Sequence, residues 1–135
     1  TTRGTLQPSR FVSVTLVMRL FKKNAGIALL TRVKWCDSFL CRLRGLTLRG
    51  PLADGEGLVL VERRESRVGT AIHMFFVSFP IAVVWLDARY RVVDTCVALP
   101  WRPIYVPKAP AQYVLEAAPA LLDHLSPGDE LEFIP

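Results

Sequence analysis

The sequence predicts a mainly β (α+β) fold, in which a compact antiparallel β-sandwich or barrel-like domain carries two short helices. Seven or eight short apolar segments are separated by turn residues, as in antiparallel β domains. Helices do not alternate with strands in the way that a parallel sheet requires. Residues 1–10 are polar and predict a flexible N-terminal tail, which leaves residues 11–135 as a single β-rich domain.

The first half of the chain predicts a hairpin, a helix and a short strand. Residues 11–21 alternate apolar and polar side chains, and residues 27–34 return as a second strand after a Lys-Lys-Asn-Ala-Gly turn. A helix is predicted over residues 37–46, where Asp and Ser can cap the first turn and apolar residues recur at helical spacing. Residues 57–62 predict a short buried strand.

The second half predicts five more strands around one long loop. Pro80 interrupts a dense apolar run, because proline cannot donate a hydrogen bond to a central ladder. Residues 100–112 contain four prolines and predict a stiff, extended loop, and irregular loops of this length are often functional. Strands are predicted at residues 71–77, 81–86, 91–99, 113–117 and 130–134, and a short helix is predicted at residues 119–125.

The 135 residues carry a net charge of +5 that is unevenly distributed. Residues 1–70 hold 13 Lys and Arg against 5 Asp and Glu, whereas residues 71–135 hold 4 against 7. The basic side chains are mostly scattered singly, with no run of five like charges, so a solvated basic face is expected. This pattern predicts nucleic-acid binding that is weak and non-specific at most, and that falls steeply with salt.

The cysteines and histidines predict no cofactor. Three cysteines are too few and odd in number for a disulfide framework, and we expect free thiols in a reducing compartment. Neither histidine has a partner at metal-ligand spacing, so no stoichiometric metal is expected.

The longest apolar candidate for a transmembrane helix, residues 74–86, is interrupted by a proline and falls short of the ~20 residues that such a helix needs. A cytoplasmic location is favoured, or an exported one if a leader was removed before Thr1.

Four motifs, in their order and spacing, resemble a known family. They are SFLCRLRGLTLR at residues 38–49, IHMFFVSFPIAVVWLD at 72–87, YVLE at 113–116 and PGDELEF at 127–133. Their combination is similar to the bacterial family called domain of unknown function 192. The resemblance implies a small β-sandwich-type fold, and it brings no established activity. Ala82 stands where the family usually has an acid, so any family function that needs that acid would be missing here.

The candidate site residues are Arg44, His73, Trp101, Arg102 and Glu116. Trp101 and Arg102 lie on the proline-rich loop and are residue types enriched in binding hot spots; Trp101 could equally anchor that loop onto the sheet. Arg44, beside a glycine at a helix end, is expected to pair with an acid such as Glu116 or to bind an anion. His73 is expected in a buried strand, as a neutral histidine with one hydrogen bond or as a group that faces a ligand.

The favoured function is a non-enzymatic binding or accessory module, with a shallow cleft between the loop at 100–112 and the strand that carries His73. Its partner would be a small molecule or a protein. Two alternatives stay open: a small hydrolase or transferase that uses His73 with a nearby acid, and a basic adaptor that docks on nucleic acid or on a membrane surface. The chain contains neither a nucleophile elbow nor a glycine-rich phosphate loop, so no motif supports the enzyme.

Overall fold

The computed structural model describes residues 16–38, 41, 45–46 and 50–135, and these residues form one seven-stranded sheet. Its strands are β1 (Leu16–Lys22), β2 (Ala28–Cys36), β3 (Glu56–Ser66), β4 (Ile81–Leu86), β5 (Val92–Ala98), β6 (Ala111–Ala117) and β7 (Leu131–Ile134). A 3₁₀ helix at Pro119–Asp123 connects β6 to β7. The spatial order of the strands is β5-β4-β6-β3-β2-β1-β7. The predicted mainly β class is therefore confirmed.

β1 and β2 form the hairpin that the alternating pattern predicts. The two strands pair antiparallel, with Met18 opposite Val33. The turn closes with a hydrogen bond from the Ala25 N–H to the Lys22 carbonyl (3.0 Å), and Asn24 takes a positive φ of 66°. Asparagine tolerates this left-handed conformation better than most residues. β1 also pairs with β7, so the C-terminal strand extends the sheet beyond β1.

β2 and β3 run parallel, which the prediction of an antiparallel domain did not include. The connection between them, residues 37–55, is long enough to return the chain to the same end of the sheet, as a parallel pair requires. At the end of this connection the Gly55 carbonyl accepts hydrogen bonds from the N–H groups of Thr31 and Arg32, both at 2.9 Å. The start of β3 is thereby fixed beside β2. The other strand pairs are antiparallel.

β4 is buried on both faces and separates two hydrophobic clusters, because alternate residues of a strand point to opposite sides of the sheet. Ala82, Val84 and Leu86 belong to the first cluster. This cluster also contains Leu20 from β1 and Val92 from β5, which lie near opposite edges of the sheet. The sheet must therefore curl around the first cluster.

The second cluster lies on the other face of β4. It contains Ile81, Val83 and Trp85, and it is covered by the segment that precedes β4. Buried side chains of that segment include Ile72, Met74, Val77 and Phe79. The Trp85 indole N–H donates to the Thr70 carbonyl (2.8 Å), so the cover is attached to the sheet by a buried hydrogen bond as well as by apolar packing.

The two edges of the sheet meet at one corner. An isolated antiparallel bridge joins Arg91 to Glu130, the Val92 N–H donates to the Asp129 carbonyl (2.8 Å), and the Gly128 N–H donates to the Val92 carbonyl (2.7 Å). In the described residues this contact does not extend into pairing of β5 with β7. The sheet is open, and a barrel is not supported.

The structure differs from the prediction for one strand and for the two short helices. Residues 71–77 do not form a strand: they contribute one isolated bridge, between Ile72 and Tyr105, and then turn, with a hydrogen bond from the Val77 N–H to the Met74 carbonyl (3.2 Å). The two short helices are not supported either. The second is a 3₁₀ helix of five residues, and half of the first, predicted at 37–46, lies outside the described residues. In the part of the chain that the structure describes, no helix has the length and apolarity needed to cross a membrane.

Candidate functional site: an exposed aromatic surface on two loops

Two loop segments, residues 72–77 and 99–106, are held side by side over the second cluster. The N–H groups of Ile72 and Tyr105 each donate to the other residue's carbonyl, at 2.9 and 2.8 Å. The Met74 N–H donates to the Arg102 carbonyl, and the Trp101 N–H donates to the Met74 carbonyl, both at 2.9 Å. The proline-rich loop therefore lies beside the segment that carries His73, as predicted, but this segment is a second loop and not a strand.

Phe76 and Trp101 project from this pair of loops in unusual backbone conformations. Their φ angles are +61° and +67°, and residues other than glycine rarely adopt such values because Cβ meets the following carbonyl. Their side chains are 56% and 53% exposed. The rings contact each other edge to face, with centroids 5.2 Å apart at an interplanar angle of 63°. Phe75 is also exposed (44%), and we call Phe75, Phe76 and Trp101 together the aromatic surface.

The proline-rich loop is also fixed at its far end. The buried carboxyl of Asp94 accepts a hydrogen bond from the Lys108 N–H (3.0 Å), and the Arg67 guanidinium donates through Nε to the Pro107 carbonyl (2.9 Å). Inside the loop, the Leu99 N–H donates to the Tyr105 hydroxyl (2.8 Å). These contacts and the prolines keep the loop extended, so the aromatic surface is well ordered before any ligand arrives.

His73 and Arg102 border the aromatic surface. His73 was expected in a buried strand, and this is wrong: its side chain is exposed. Its Nδ1 accepts a hydrogen bond from the Phe75 N–H (3.2 Å), and its ring lies 5.5 Å from the Phe75 ring. The side chain of Arg102 is exposed, while its carbonyl takes part in the bonding between the loops. Neither an acid nor a nucleophile is hydrogen-bonded to His73 among the described residues.

Glu116 lies in the sheet itself and not on the loops. It pairs with Leu58 of β3 and Val83 of β4, both members of the second cluster. Burial raises the pKa of Glu116 from its ordinary 4.5 to about 7. Among the described residues its carboxyl has no hydrogen-bond or ion-pair partner, and Oε1 lies 4.0 Å from the position that a Cβ on Gly45 would occupy. Arg44, its predicted partner, lies outside the described residues.

A disulfide joins Cys36 to Cys41, with Cα atoms 5.6 Å apart. The prediction of three free thiols is therefore wrong for two of them. An odd number of cysteines excludes a framework that uses all three, but a separation of five residues allows a local bridge at the end of β2. Cys96 stays free, and its pKa is raised to about 11 by burial and by the nearby charge of Asp94.

Where the sequence predicts a shallow cleft, the structure has the exposed aromatic surface. An open cavity of about 630 Å³ does exist near the turn between β1 and β2, lined among others by Ile27, Leu29 and His124, but it contains no predicted site residue. Within the described residues, no group of three or more His, Cys, Asp or Glu side chains could hold a metal ion. Phe75 and Phe76, central to the aromatic surface, were missed because an apolar run was interpreted as a buried strand.

These features define a class: a small, mainly β protein with an open, curled sheet, two hydrophobic clusters and an exposed aromatic surface on paired loops. The chain belongs to the domain of unknown function 192 (DUF192) family, described as an uncharacterised ACR, whose profile matches residues 21–133. The resemblance that the four sequence motifs predicted is confirmed at the level of the family.

Archaeal proteins are similar to this chain over most of its length. A UPF0127 protein of Thermococcus sibiricus is 39% identical over 116 residues, which cover 84% of this chain and 73% of the relative. A UPF0127 protein of Pyrococcus horikoshii is 38% identical over 103 residues, which cover 75% and 86%. The expectation of a bacterial family is therefore not supported.

Two crystal structures share the fold. A Sinorhizobium meliloti protein, described provisionally as a transcription regulator, superimposes with a TM-score of 0.76 at 20% identity and covers 93% of this chain and 98% of its own. A protein of unknown function from Novosphingobium aromaticivorans gives a TM-score of 0.70 at 18% identity, with 87% and 84% covered. At these identities the likeness concerns the fold alone.

Proposed function

We propose that this protein is a non-enzymatic binding or accessory module whose contact surface is the aromatic surface, bordered by His73 and Arg102. One observation carries the proposal. Phe76 and Trp101 are exposed, although each is held at a positive φ and the loops beneath them are fixed by backbone hydrogen bonds. Left-handed residues other than glycine cost roughly 1–3 kcal/mol each and cluster at ligand-binding sites.

The cost of this arrangement argues against a purely structural role. An aromatic residue that anchors a loop gains stability by burial, whereas Trp101 leaves about half of its side chain in water (53% exposed). Such exposure at a strained position makes sense where the ring contacts something else. Rigid, preformed aromatic groups also lose little entropy when they bind, which favours affinity.

The hydrolase or transferase alternative gains no support from His73. Its Nδ1 is engaged by the Phe75 N–H, and in the described residues no carboxylate orients the ring for proton transfer. Burial disfavours the charged form of Glu116, the most perturbed acid, and this residue lies in β6 rather than on the two loops. The binding module therefore remains our first choice.

The three tryptophan indoles allow a direct test of the binding surface by NMR. A library of small apolar and aromatic fragments is added to ¹⁵N-labelled protein, and shifts of the indole N–H signals are followed. We expect shifts of Trp101 and of backbone amides in 72–77 and 99–106. The signal of Trp85, which is buried and bonded to the Thr70 carbonyl, should stay fixed. Shifts confined to residues around the 630 Å³ cavity would contradict the proposal.

Substitutions complete this test. Trp101→Ala and Phe76→Ala should abolish the fragment-induced shifts while changing the free energy of unfolding by less than about 1 kcal/mol, because both side chains are exposed. Ile27→Ala is the matched control, since Ile27 is a large apolar residue that is 80% exposed in the first hairpin. A Trp101→Ala variant that is destabilised by several kcal/mol would instead identify this tryptophan as a structural anchor.

A further inference from the structure

We propose that the partner of the aromatic surface is an anionic lipid bilayer, on which the two loops dock in the interfacial region. This inference rests on the proposed binding function and names its partner class. The distribution of apolar and basic side chains over the described surface supports it.

Exposed apolar side chains are concentrated in the part of the sequence that contains the aromatic surface. Of the twelve large hydrophobic residues that are exposed in the described part of the chain, eight lie between residues 68 and 106. They are Val68, Phe75, Phe76, Val97, Leu99, Trp101, Ile104 and Val106. Soluble surfaces usually scatter such residues singly, and a concentration of them marks an interaction site.

Within these segments the charged side chains are all positive, although the carboxylate of Glu62 lies near Gly69, with Oε1 3.7 Å from the position that a Cβ there would occupy. Residues 67–80 and 95–112 include Arg67, Arg102 and Lys108 and contain no Asp or Glu, although residues 71–135 as a whole have more acidic than basic residues. The flanking acid Asp94 is buried and accepts hydrogen bonds from two backbone N–H groups. An apolar surface bordered by cations complements the acyl region and the anionic headgroups of a membrane.

The kinds of exposed side chain favour a bilayer over nucleic acid. Bases stack on aromatic rings and guanidinium planes, but aliphatic chains such as Val68 (83% exposed) and Ile104 (61% exposed) offer no stacking face. Aliphatic groups do partition into the headgroup and acyl boundary, and tryptophan prefers that same depth because its ring is apolar and its N–H is polar. Membrane insertion uses all of these residue types at once.

Docking would leave the fold unchanged. Phe76 and Trp101 are already exposed, and the Trp101 N–H already donates to the Met74 carbonyl of the facing loop (2.9 Å). Backbone polar groups must be satisfied internally wherever water is excluded. Trp101 would then lie at the interface with Arg102 directed to lipid phosphates, as in shallow peripheral attachment.

Vesicle sedimentation tests the inference with the intact protein. We expect binding to vesicles of mixed phosphatidylcholine and phosphatidylglycerol, weak binding to phosphatidylcholine alone, and a decrease as salt is raised. Trp101→Ala, Phe76→Ala and Arg102→Ala should each bind roughly tenfold more weakly. Ile27→Ala should bind like the wild type. Tryptophan emission should shift to shorter wavelength on binding, and Trp101→Phe should lose that shift.

Other results would overturn the inference. Absence of sedimentation with anionic vesicles, or sedimentation equally unaffected by all the substitutions, would exclude this surface as a membrane contact. Fragment-induced NMR shifts at Trp101 without vesicle binding would preserve the binding module and reject only the lipid partner. Self-association that Trp101→Ala abolishes would assign the surface to a second copy of this chain.

Discussion

Folding buries the carboxyl group of Glu116, and among the described residues this group has no hydrogen-bond partner. Because burial penalises the ionised form, the pKa of Glu116 in the folded protein is about 7, against 4.5 for an ordinary glutamate. The native state thus binds this proton more tightly than the unfolded chain does. The stability that this tighter proton binding contributes is fully present below pH 4.5 and is lost as the pH rises through about 7.

Glu116→Gln should remove this pH dependence. Above pH 7 the variant should be more stable than the wild type by up to about 3 kcal/mol, and below pH 4.5 the two should be similar, because the wild-type carboxyl is then neutral as well. Urea titrations at the two pH values measure the difference. Glu132→Gln, at an exposed position of β7, serves as a control with little effect at either pH. A Glu116→Gln variant that is less stable above pH 7 would mean that the carboxylate has a stabilising partner.

Burial of single residues was only partly predictable, as the segment before β4 demonstrates. Ile72 and Met74 are buried while His73 and Phe75 are exposed, so the segment covers the second cluster with one side only. The sequence presents nearly every position there as apolar or aromatic, and residue type alone does not reveal which side meets water. The same limit applies to Glu116, whose burial depends on strands distant in sequence.

At the scale of elements, the strands with strong patterns and the antiparallel first hairpin were predictable, whereas the parallel direction of one strand pair was not. The apolar run at 81–86 is β4, and its burial on both faces fits its composition. The turn at Asn24 and the hairpin around it also agree with prediction. The parallel pairing of β2 with β3 was missed because strand direction depends on the path of residues 37–55, for which local sequence holds little information.

The start of β3 offers a test of how tightly the first cluster is packed. A Cβ added at Gly57 would lie 2.8 Å from Cδ1 of Leu30 and 3.3 Å from Cδ1 of Leu115, and both leucines are buried. Gly57→Ala should therefore lower the free energy of unfolding by about 1–3 kcal/mol. Gly26→Ala is the matched control, because no atom lies within 4 Å of its added Cβ. Equal stability of the two variants in urea would mean that the leucines move aside freely.

At the scale of the whole molecule, the sheet and the loops differ in how they can open. β3, β4 and β6 are each paired on both sides, so exposing their amides requires the sheet to come apart. The two loops are joined to each other by a few backbone hydrogen bonds and to the second cluster by buried side chains such as Met74, so they can open without separation of the strands. The structure thus separates a stable scaffold from the surface proposed to bind.

Native-state hydrogen exchange should report this division. We expect amides in β3, β4 and β6 to exchange at least about a hundredfold more slowly than those of Trp101 and Tyr105, although the latter are also hydrogen-bonded. Exchange followed by NMR at one pH gives both sets in a single experiment. Equal protection in the loops and in β6 would indicate that the loops unfold only together with the sheet.

The pairing of β3 with β6 also has a consequence for synthesis on the ribosome. β3 lies beside β2, which is synthesised before it. Its other neighbour is β6, in which Tyr113 pairs with Val61 of β3 and lies about fifty residues further along the chain. At roughly 5–20 residues per second, one edge of this apolar strand waits several seconds for its partner. The stretch Glu62-Arg63-Arg64-Glu65 follows its apolar residues directly. Charges at such a place hinder pairing with other nascent chains, so we expect the charged end of β3 to limit wrong pairing of this strand until β6 is available.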